Sequence, residues 1–220
     1  MIKIIGISGS QIKDGNVSAL LEDALSQTKK LKDVSVEVIH LTSKKIGPCL
    51  HCNWCINKQT PKKPCAQEDD MGPIYQKLLE ADGILVASPA HFGRLSGLTA
   101  DWMDRTRAFV HGKIYKFPLK NKVGGALAVA FFRGAGLETT LSSIDLFFLT
   151  HQMIVANSRL FQLGAGAYSS REGKGRFEKA IRHMTLEDEV GVQSARMLVA
   201  RVIELSRIIK AGTLALPPAD

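Results

Sequence analysis

Short apolar runs alternate with longer helical patterns along most of this chain. Five runs, rich in apolar and β-branched residues, have the length and character of buried strands. They cover residues 2–8, 34–40, 83–88, 122–131 and 153–157. Between them, apolar residues recur every three or four positions, which is the period of a helix with one buried face. These helical patterns cover residues 17–31, 71–81, 97–109, 136–149 and 186–210.

Strands that alternate with helices in this way form a parallel sheet whose two faces are both covered. We therefore predict an α/β fold, with a doubly wound, five-stranded parallel sheet and helices on both faces. One domain would span residues 1–220, with a cysteine-rich insertion at 42–70 and a C-terminal helix at 186–210. Glycine and serine are frequent in residues 164–175, which predicts a flexible loop there.

Three connections carry the polar residues of this sheet. In open parallel sheets, ligands bind beyond the carboxyl ends of the strands. That rule selects the connections that we call the first loop (8–16), the second loop (88–96) and the third loop (131–138), each rich in glycine or hydroxyl residues. A ligand site is predicted where the three loops meet.

The first loop leads from a strand into a helix and has the composition of a phosphate site. A helix N-terminus carries partial positive charge and unpaired N–H groups, both of which favour a phosphate dianion. The residues assigned to this site are Ser8, Ser10, Asn16, Val17 and Ser18. The alternative is that Asn16 or Ser18 only caps the helix.

All four cysteines fall in one polar stretch, as Cys49, Cys52, Cys55 and, after nine residues, Cys65. Three thiols at this spacing can converge on one iron–sulfur cluster, in which each iron takes one thiolate. Zinc fits less well, because structural zinc sites usually divide their ligands into two separated pairs. On spacing alone, disulfides and unliganded thiols remain open alternatives.

Charge and hydropathy narrow the classes of partner. The net charge is +8, from 29 Lys and Arg against 21 Asp and Glu, but the basic residues are scattered and lack interleaved aromatics. Nucleic-acid binding is therefore not expected, whereas an anionic cofactor or an acidic redox partner suits the sign. The apolar runs are about half a membrane span, and the chain starts directly in a strand pattern. We expect a cytoplasmic protein with no membrane contact, and a reducing compartment argues against disulfides.

Several of these motifs together resemble a known family. The first loop (Ser8-Gly-Ser10, then Asn16 and Ser18) and the second loop with Gly97 look like those of the NADPH-dependent FMN reductase family of flavodoxin-like proteins. The four cysteines, placed before residues 68–71, narrow the resemblance to its iron–sulfur flavoprotein branch. Residues 131–138 look like the third flavin loop of that branch.

The resemblance implies FMN, with its phosphate on the first loop and its ring between the other two. The ring would lie beside Pro89, Ala90, His91, Phe92 and Gly93 on one side, and Arg133, Gly134 and Gly136 on the other. Glycines at these positions would let backbone N–H groups approach the flavin. His91 stands where the family more often has tyrosine, and it would stack on the ring, donate a proton or simply pack.

The resemblance also implies a 4Fe-4S cluster on Cys49, Cys52, Cys55 and Cys65. Position alone makes His51 a possible substitute ligand, although nitrogen ligation of such clusters is uncommon. The gap before Cys65 is longer than is usual in the family. By the same resemblance the protein is a homodimer or homotetramer that exchanges electrons with NAD(P)H, a ferredoxin-like partner or a quinone.

Three hypotheses about function follow. The first is an electron-transfer flavoprotein oxidoreductase with FMN and a cluster. The second is a cluster-free NAD(P)H-dependent FMN or quinone reductase, and the third is a non-enzymatic redox sensor. No catalytic acid–base pair or nucleophilic triad is evident in the sequence, and a hydride-accepting flavin does not require one.

Overall fold

A computed structural model describes residues 1–215 and shows seven strands and seven helices. The strands are β1 (Ile2–Ser8), β2 (Val34–His40), β3 (Gly83–His91), β4 (Arg94–Leu95), β5 (Val123–Ala130), β6 (Ile154–Ala156) and β7 (Ala165–Tyr168). The helices are α1 (Asn16–Ser26), α2 (Trp54–Asn57), α3 (Met71–Glu80), α4 (Gly97–Arg105), α5 (Arg107–Val110), α6 (Leu137–Thr150) and α7 (Glu189–Ala215). Short 3₁₀ turns lie at Gln27–Lys30, Leu41–Ser43, Arg171–Gly173 and Met184–Glu187.

The central strands run in the order β2-β1-β3-β5-β6, and every pair along this path is parallel. The order reverses at β1, since β2 lies on one side of it and β3 on the other. This is the doubly wound arrangement that the alternation predicted. Its polar connections follow the carboxyl ends of β1, β3 and β5, where a ligand site is expected.

Helices cover both faces of the sheet, as predicted. Alternate residues of β1 show why, because Ile2 and Ile4 pack with α1 and α7, whereas Ile5 and Ile7 pack with α3, α4 and α6. The period of two residues in a strand places successive side chains on opposite faces. Helix α7 belongs to this core, with Leu198 and Val202 fully buried.

The strand count and one loop were predicted wrongly. The five predicted strands exist, but β4 pairs with β3 in a hairpin, and β7 pairs with the second half of β5 beyond the end of β6. Residues 164–175 are therefore not a flexible loop, because they begin with the buried strand β7. The small residues of this segment predicted a loop. In the structure they let β7 pack closely against α7, where Ala167 lies beside Gly191.

A buried carboxyl on α6 makes the stability of this core depend on pH. Asp145 is 7% exposed, and its Oδ1 has no hydrogen-bond partner among the described residues. Burial raises the pKa of Asp145 from 3.8 to about 7. The pKa of Asp145 is thus higher in the folded protein than in the unfolded chain, so protonation of its carboxyl stabilises the fold. This contribution to the free energy of unfolding is complete below the unfolded pKa and is lost as pH rises through the folded pKa.

Replacing Asp145 with asparagine should therefore stabilise the protein more at pH 8 than at pH 4, by on the order of 4 kcal/mol. Urea unfolding of both proteins across this range measures the difference. The exposed Asp104 provides a control, Asp104→Asn, in which the same substitution removes a carboxyl that is not buried. A difference between wild type and Asp145→Asn that does not change with pH would contradict this account.

Candidate functional site

The first and second loops are joined by direct hydrogen bonds at the carboxyl edge of the sheet. Gly9 N donates to Ala87 O (2.8 Å), and Ser96 Oγ donates to Gly9 O (2.7 Å). Ser96 is also the N-cap of α4, where its Oγ accepts from Thr99 N (3.1 Å). One serine thus fixes both the start of α4 and the path of the first loop.

The second and third loops touch through backbone atoms. Phe92 and Gly93 form the turn between β3 and β4, both with positive φ (50° and 77°). Gly136 also has a positive φ (92°), and a Cβ at this position would lie 2.4 Å from Gly93 Cα. Thr139 Oγ1 donates to Gly93 O (2.5 Å). The two loops that the sequence placed on either side of a flavin ring are therefore in contact.

The turn residue Phe92 carries both strain and exposed apolar surface. Its left-handed backbone is unusual for a bulky residue, and such strain costs about 1–3 kcal/mol and concentrates at functional sites. Its side chain is fully exposed, at 106% of the reference value. Neighbouring His91 and Gly93 are exposed too, whereas Pro89 and Ala90 are half-buried.

The start of α1 offers backbone donors at the first loop. The first hydrogen bond of this helix runs from Ala19 N to Gly15 O (2.9 Å), so the N–H groups of Asn16, Val17 and Ser18 precede it. Asn16 Oδ1 accepts from Thr185 N (2.9 Å). Because the oxygen is used in this way, the amide nitrogen of Asn16, with two N–H donors, is the end left for a ligand.

The three serines of the first loop differ in their surroundings. Ser8 and Ser18 are almost fully buried and their hydroxyls bond each other (2.9 Å), with His40 Nδ1 3.3 Å from Ser18 Oγ. Ser10 Oγ accepts from Ile12 N (3.1 Å) and lies nearer the surface, with 7% exposed. The predicted phosphate residues are thus adjacent, but Ser8 and Ser18 form an internal chain with His40.

Arg133 is exposed on the third loop and is held by the segment that follows β7. Its Nε donates to Glu172 O (2.9 Å), and its backbone N donates to Gly173 O (2.9 Å). The guanidinium also lies 5.6 Å from the ring centre of Tyr168. Gly134 is exposed beside it. The wrongly predicted loop is therefore the element that positions Arg133.

The four cysteines line one narrow cavity between the cysteine loop (residues 45–70) and the α4–α5 junction. Cys52 is exposed, and Cys49, Cys55 and Cys65 are half-buried free thiols. Buried Gln59 fixes this loop, because its Oε1 accepts from Ile114 N and Tyr115 N and its Nε2 donates to Pro64 O and Ala108 O. Sequence analysis missed Gln59, since a lone glutamine carries no recognisable motif.

The model of one protein family covers most of these elements. The description of that family is NADPH-dependent FMN reductase, and its model matches residues 2–167. The chain belongs to this family. It is accordingly a flavoprotein oxidoreductase, and the matched range includes all three loops and the four cysteines.

Curated relatives extend the likeness over almost the whole chain. An iron–sulfur flavoprotein of Methanocaldococcus jannaschii is 37% identical over 209 residues, which are 95% of this chain and 100% of the relative. An iron–sulfur flavoprotein of Methanosarcina thermophila is 30% identical over 209 residues, covering 95% of this chain and 97% of the relative. The C-terminal third of the chain is thus shared with these relatives.

Solved structures confirm the flavodoxin-like fold. RosB with a bound formylated riboflavin phosphate intermediate superposes with a TM-score of 0.69 at 16% identity, over 100% of this chain and 90% of that one. A flavodoxin, WrbA-like protein from Agrobacterium tumefaciens gives a TM-score of 0.55 at 14% identity, over 94% and 97% of the two chains. At these identities the likeness shows the fold alone.

The edge of the sheet fits FMN, the cofactor of the FMN reductase family, by its donors and its open space. Backbone N–H groups at the start of α1 and the amide of Asn16 suit a phosphate. A Cβ added at Gly93 or Gly134 would meet no other atom within 4 Å, so the backbone at both positions is accessible. Close approach of backbone N–H groups to a flavin requires such open positions.

Gly136→Ala should weaken FMN binding and stability far more than Gly134→Ala. Both glycines have positive φ, so both alanines cost about 1–2 kcal/mol. Only the Cβ at position 136 meets backbone, at Gly93. Flavin fluorescence quenching and thermal unfolding measure the two effects, and equal losses in both variants would contradict the contact between the second and third loops.

Asn16→Asp should weaken FMN binding without unfolding the protein. The aspartate still accepts from Thr185 N, but it loses two donors and adds negative charge beside the phosphate. Hydrogen bonds to charged groups contribute about 1.5–3 kcal/mol, so affinity should fall at least about tenfold. Riboflavin, which lacks the phosphate, is the control ligand and should bind both proteins equally. Unchanged FMN affinity would remove Asn16 from the site.

Proposed function

We propose that this protein is an electron-transfer flavoprotein that binds FMN at the meeting point of the three loops and an iron–sulfur cluster on Cys49, Cys52, Cys55 and Cys65. The observation that carries the proposal is that residues distant in the sequence come together at each of the two sites. The loops meet at one edge of the sheet, and four thiols that are spread over 17 positions of the chain line one cavity. Electrons would pass between the FMN and an external redox partner.

The thiol set fits a cluster in its chemistry. Within residues 1–215, no group of three or more His, Cys, Asp and Glu side chains is arranged to hold a single metal ion. A mononuclear zinc site needs its sulfurs within about 2.3 Å of one centre, whereas a cuboid cluster takes one thiolate at each of several irons. Four thiols that line one cavity therefore match the number and type of ligands that a cuboid cluster takes, one for each iron.

The proposed roles of the chain's residues follow from their positions. The start of α1 with Ser10 and Asn16 binds the phosphate, and Ser8 and Ser18 support that loop from behind. His91, Phe92, Gly93 and Gly134 cover the flavin ring from the second and third loops, and Arg133 supplies positive charge there. When bound, FMN exchanges electrons in pairs or singly, and an iron–sulfur cluster transfers one electron at a time.

The partners are part of the same proposal. Exposed apolar side chains on α6, Leu146 (60%) and Leu149 (57%), suit an interface between copies in a homodimer or homotetramer. The net charge of +8 suits an acidic ferredoxin-like protein, and a quinone or NAD(P)H are the small-molecule candidates. In the described part of the chain, no helix has the length and apolar character needed to cross a membrane. The cytoplasmic location that we expect from the sequence is part of the proposal.

A second candidate is a cluster-free NAD(P)H-dependent FMN or quinone reductase. The observation that favours it is that the cysteines are free thiols, of which Cys52 is exposed, on a loop apart from the three flavin loops. This protein would use the three loops alone, and its cysteines would have a structural role.

An absorption spectrum with iron and sulfide assays on anaerobically purified protein separates the two candidates. The flavoprotein with an iron–sulfur cluster should show flavin absorption bands together with a broad shoulder from the cluster. Cys52→Ala should lose that shoulder and most of the iron while it keeps FMN, because the flavin loops do not involve the cysteine loop.

His51→Ala is the matched control, since His51 is the neighbouring alternative ligand and should leave the spectrum unchanged. Wild-type protein that contains FMN but no iron, and that reduces a quinone with NAD(P)H, would establish the second candidate instead.

A further inference from the structure

The most deeply buried charge in the described chain lies beneath the cysteine loop. Arg105, the last residue of α4, is 2% exposed. Tyr75 Oη donates to Arg105 O (2.6 Å), which fixes the backbone from which the side chain extends. Because burying an unpaired charge costs free energy, the groups that bind the Arg105 guanidinium indicate its structural role.

Those partners belong to the two ends of the cysteine loop. Arg105 Nη1 donates to Asp69 Oδ2 (2.5 Å) and Nη2 donates to Asp69 Oδ1 (3.1 Å), a two-pronged pair that only arginine can make. Nη1 also donates to Gly47 O (3.1 Å). Gly47 precedes the first cysteine and Asp69 follows the last, so one guanidinium closes the loop.

The same guanidinium reaches a cysteine. Arg105 Nη2 lies 3.5 Å from Cys65 Sγ, within the range of a hydrogen bond to sulfur. Arg107 makes the equivalent contact with Cys55 Sγ (3.5 Å) but is only half-buried. Cys65 is the cysteine that follows the long gap, and no spacing rule fixes its position. Arg105 therefore provides the constraint on the position of Cys65 that the cysteine spacing does not provide.

We propose that Arg105 is the positioning residue for Cys65: it holds this thiol beside the other three and donates an N–H to its sulfur. The inference rests on the proposed function for the cluster, but the placement of Cys65 is a property of the chain itself. Hydrogen bonds to ligand sulfurs and local charge set the potentials of such clusters. Loss of Arg105 should therefore change both the accessibility of Cys65 and the potential of the cluster.

The test uses a double variant, Arg105→Gln with Asp69→Asn, which removes both charges and leaves neither buried and unpaired. The net charge of the protein does not change. Arg207 and Asp33 form another two-pronged pair (2.9 and 2.8 Å), but on the surface away from the cysteines. Arg207→Gln with Asp33→Asn is thus a control of identical composition.

Alkylation by iodoacetamide, followed by peptide mass spectrometry, measures the placement of Cys65 in reduced, metal-free protein. The Arg105 double variant should label Cys65 at least about tenfold faster than wild type, while exposed Cys52 and the control variant remain unchanged. Cys65 labelling within about twofold of wild type would overturn the inference. This readout needs no cluster, so it stands even if the wild type binds no iron and the proposed function fails.

A redox titration of the reconstituted protein measures the hydrogen bond to sulfur. In the double variant the reduced form should become at least about tenfold less favoured, a shift of about 59 mV for one electron. An unchanged midpoint in a fully loaded variant, or an equal shift in the control, would contradict the proposal. If the double variant does not fold, Arg105→Lys serves with the same readouts, because lysine keeps the charge but cannot span Gly47, Asp69 and Cys65.

Discussion

Three parallel strands end at one edge of the sheet, and the backbone contacts made there hold the site together. The hydrogen bond from Ser96 to Gly9 joins the first loop to the second, and the close approach of Gly136 to Gly93 joins the second to the third. Neither contact depends on a ligand. The chain itself therefore forms an edge with backbone N–H donors at one end and accessible backbone at the other, so little ordering remains for the moment of binding.

The cysteine loop is a separate structure at the C-terminal end of α4, where Arg105 binds it, whereas the first loop is bonded to Ser96 at the start of that helix. Its cysteines come close through side chains that close the loop from outside, because the loop itself contains only the short helix α2. Gln59 uses its amide oxygen and nitrogen to bind four backbone groups, and Arg105 binds the two ends of the loop. Four thiols can then share one cavity despite the long interval before Cys65.

The sequence predicted those features that repeat locally. Apolar periodicity identified all five central strands, and the rule on strand ends selected the three loops that meet. The features that it missed depend on distant contacts or on residues with weak propensity. Strand β7 consists of small residues, and only its close packing against α7 makes it recognisable as a strand. Thr185 N donates to Asn16 Oδ1 although 169 positions separate the two residues. His40 and Arg105 likewise act through partners that no local pattern reveals.

The state of the FMN phosphate tests the central claim most directly, since a phosphate held at the start of α1 should stay dianionic. Free FMN takes up a proton with a pKa near 6. In ³¹P NMR spectra of the FMN-loaded protein, the phosphate signal should therefore keep one chemical shift from about pH 5 to about pH 8. A bound phosphate whose signal titrates like that of the free nucleotide would lie in solvent, and the first loop would then not be its site.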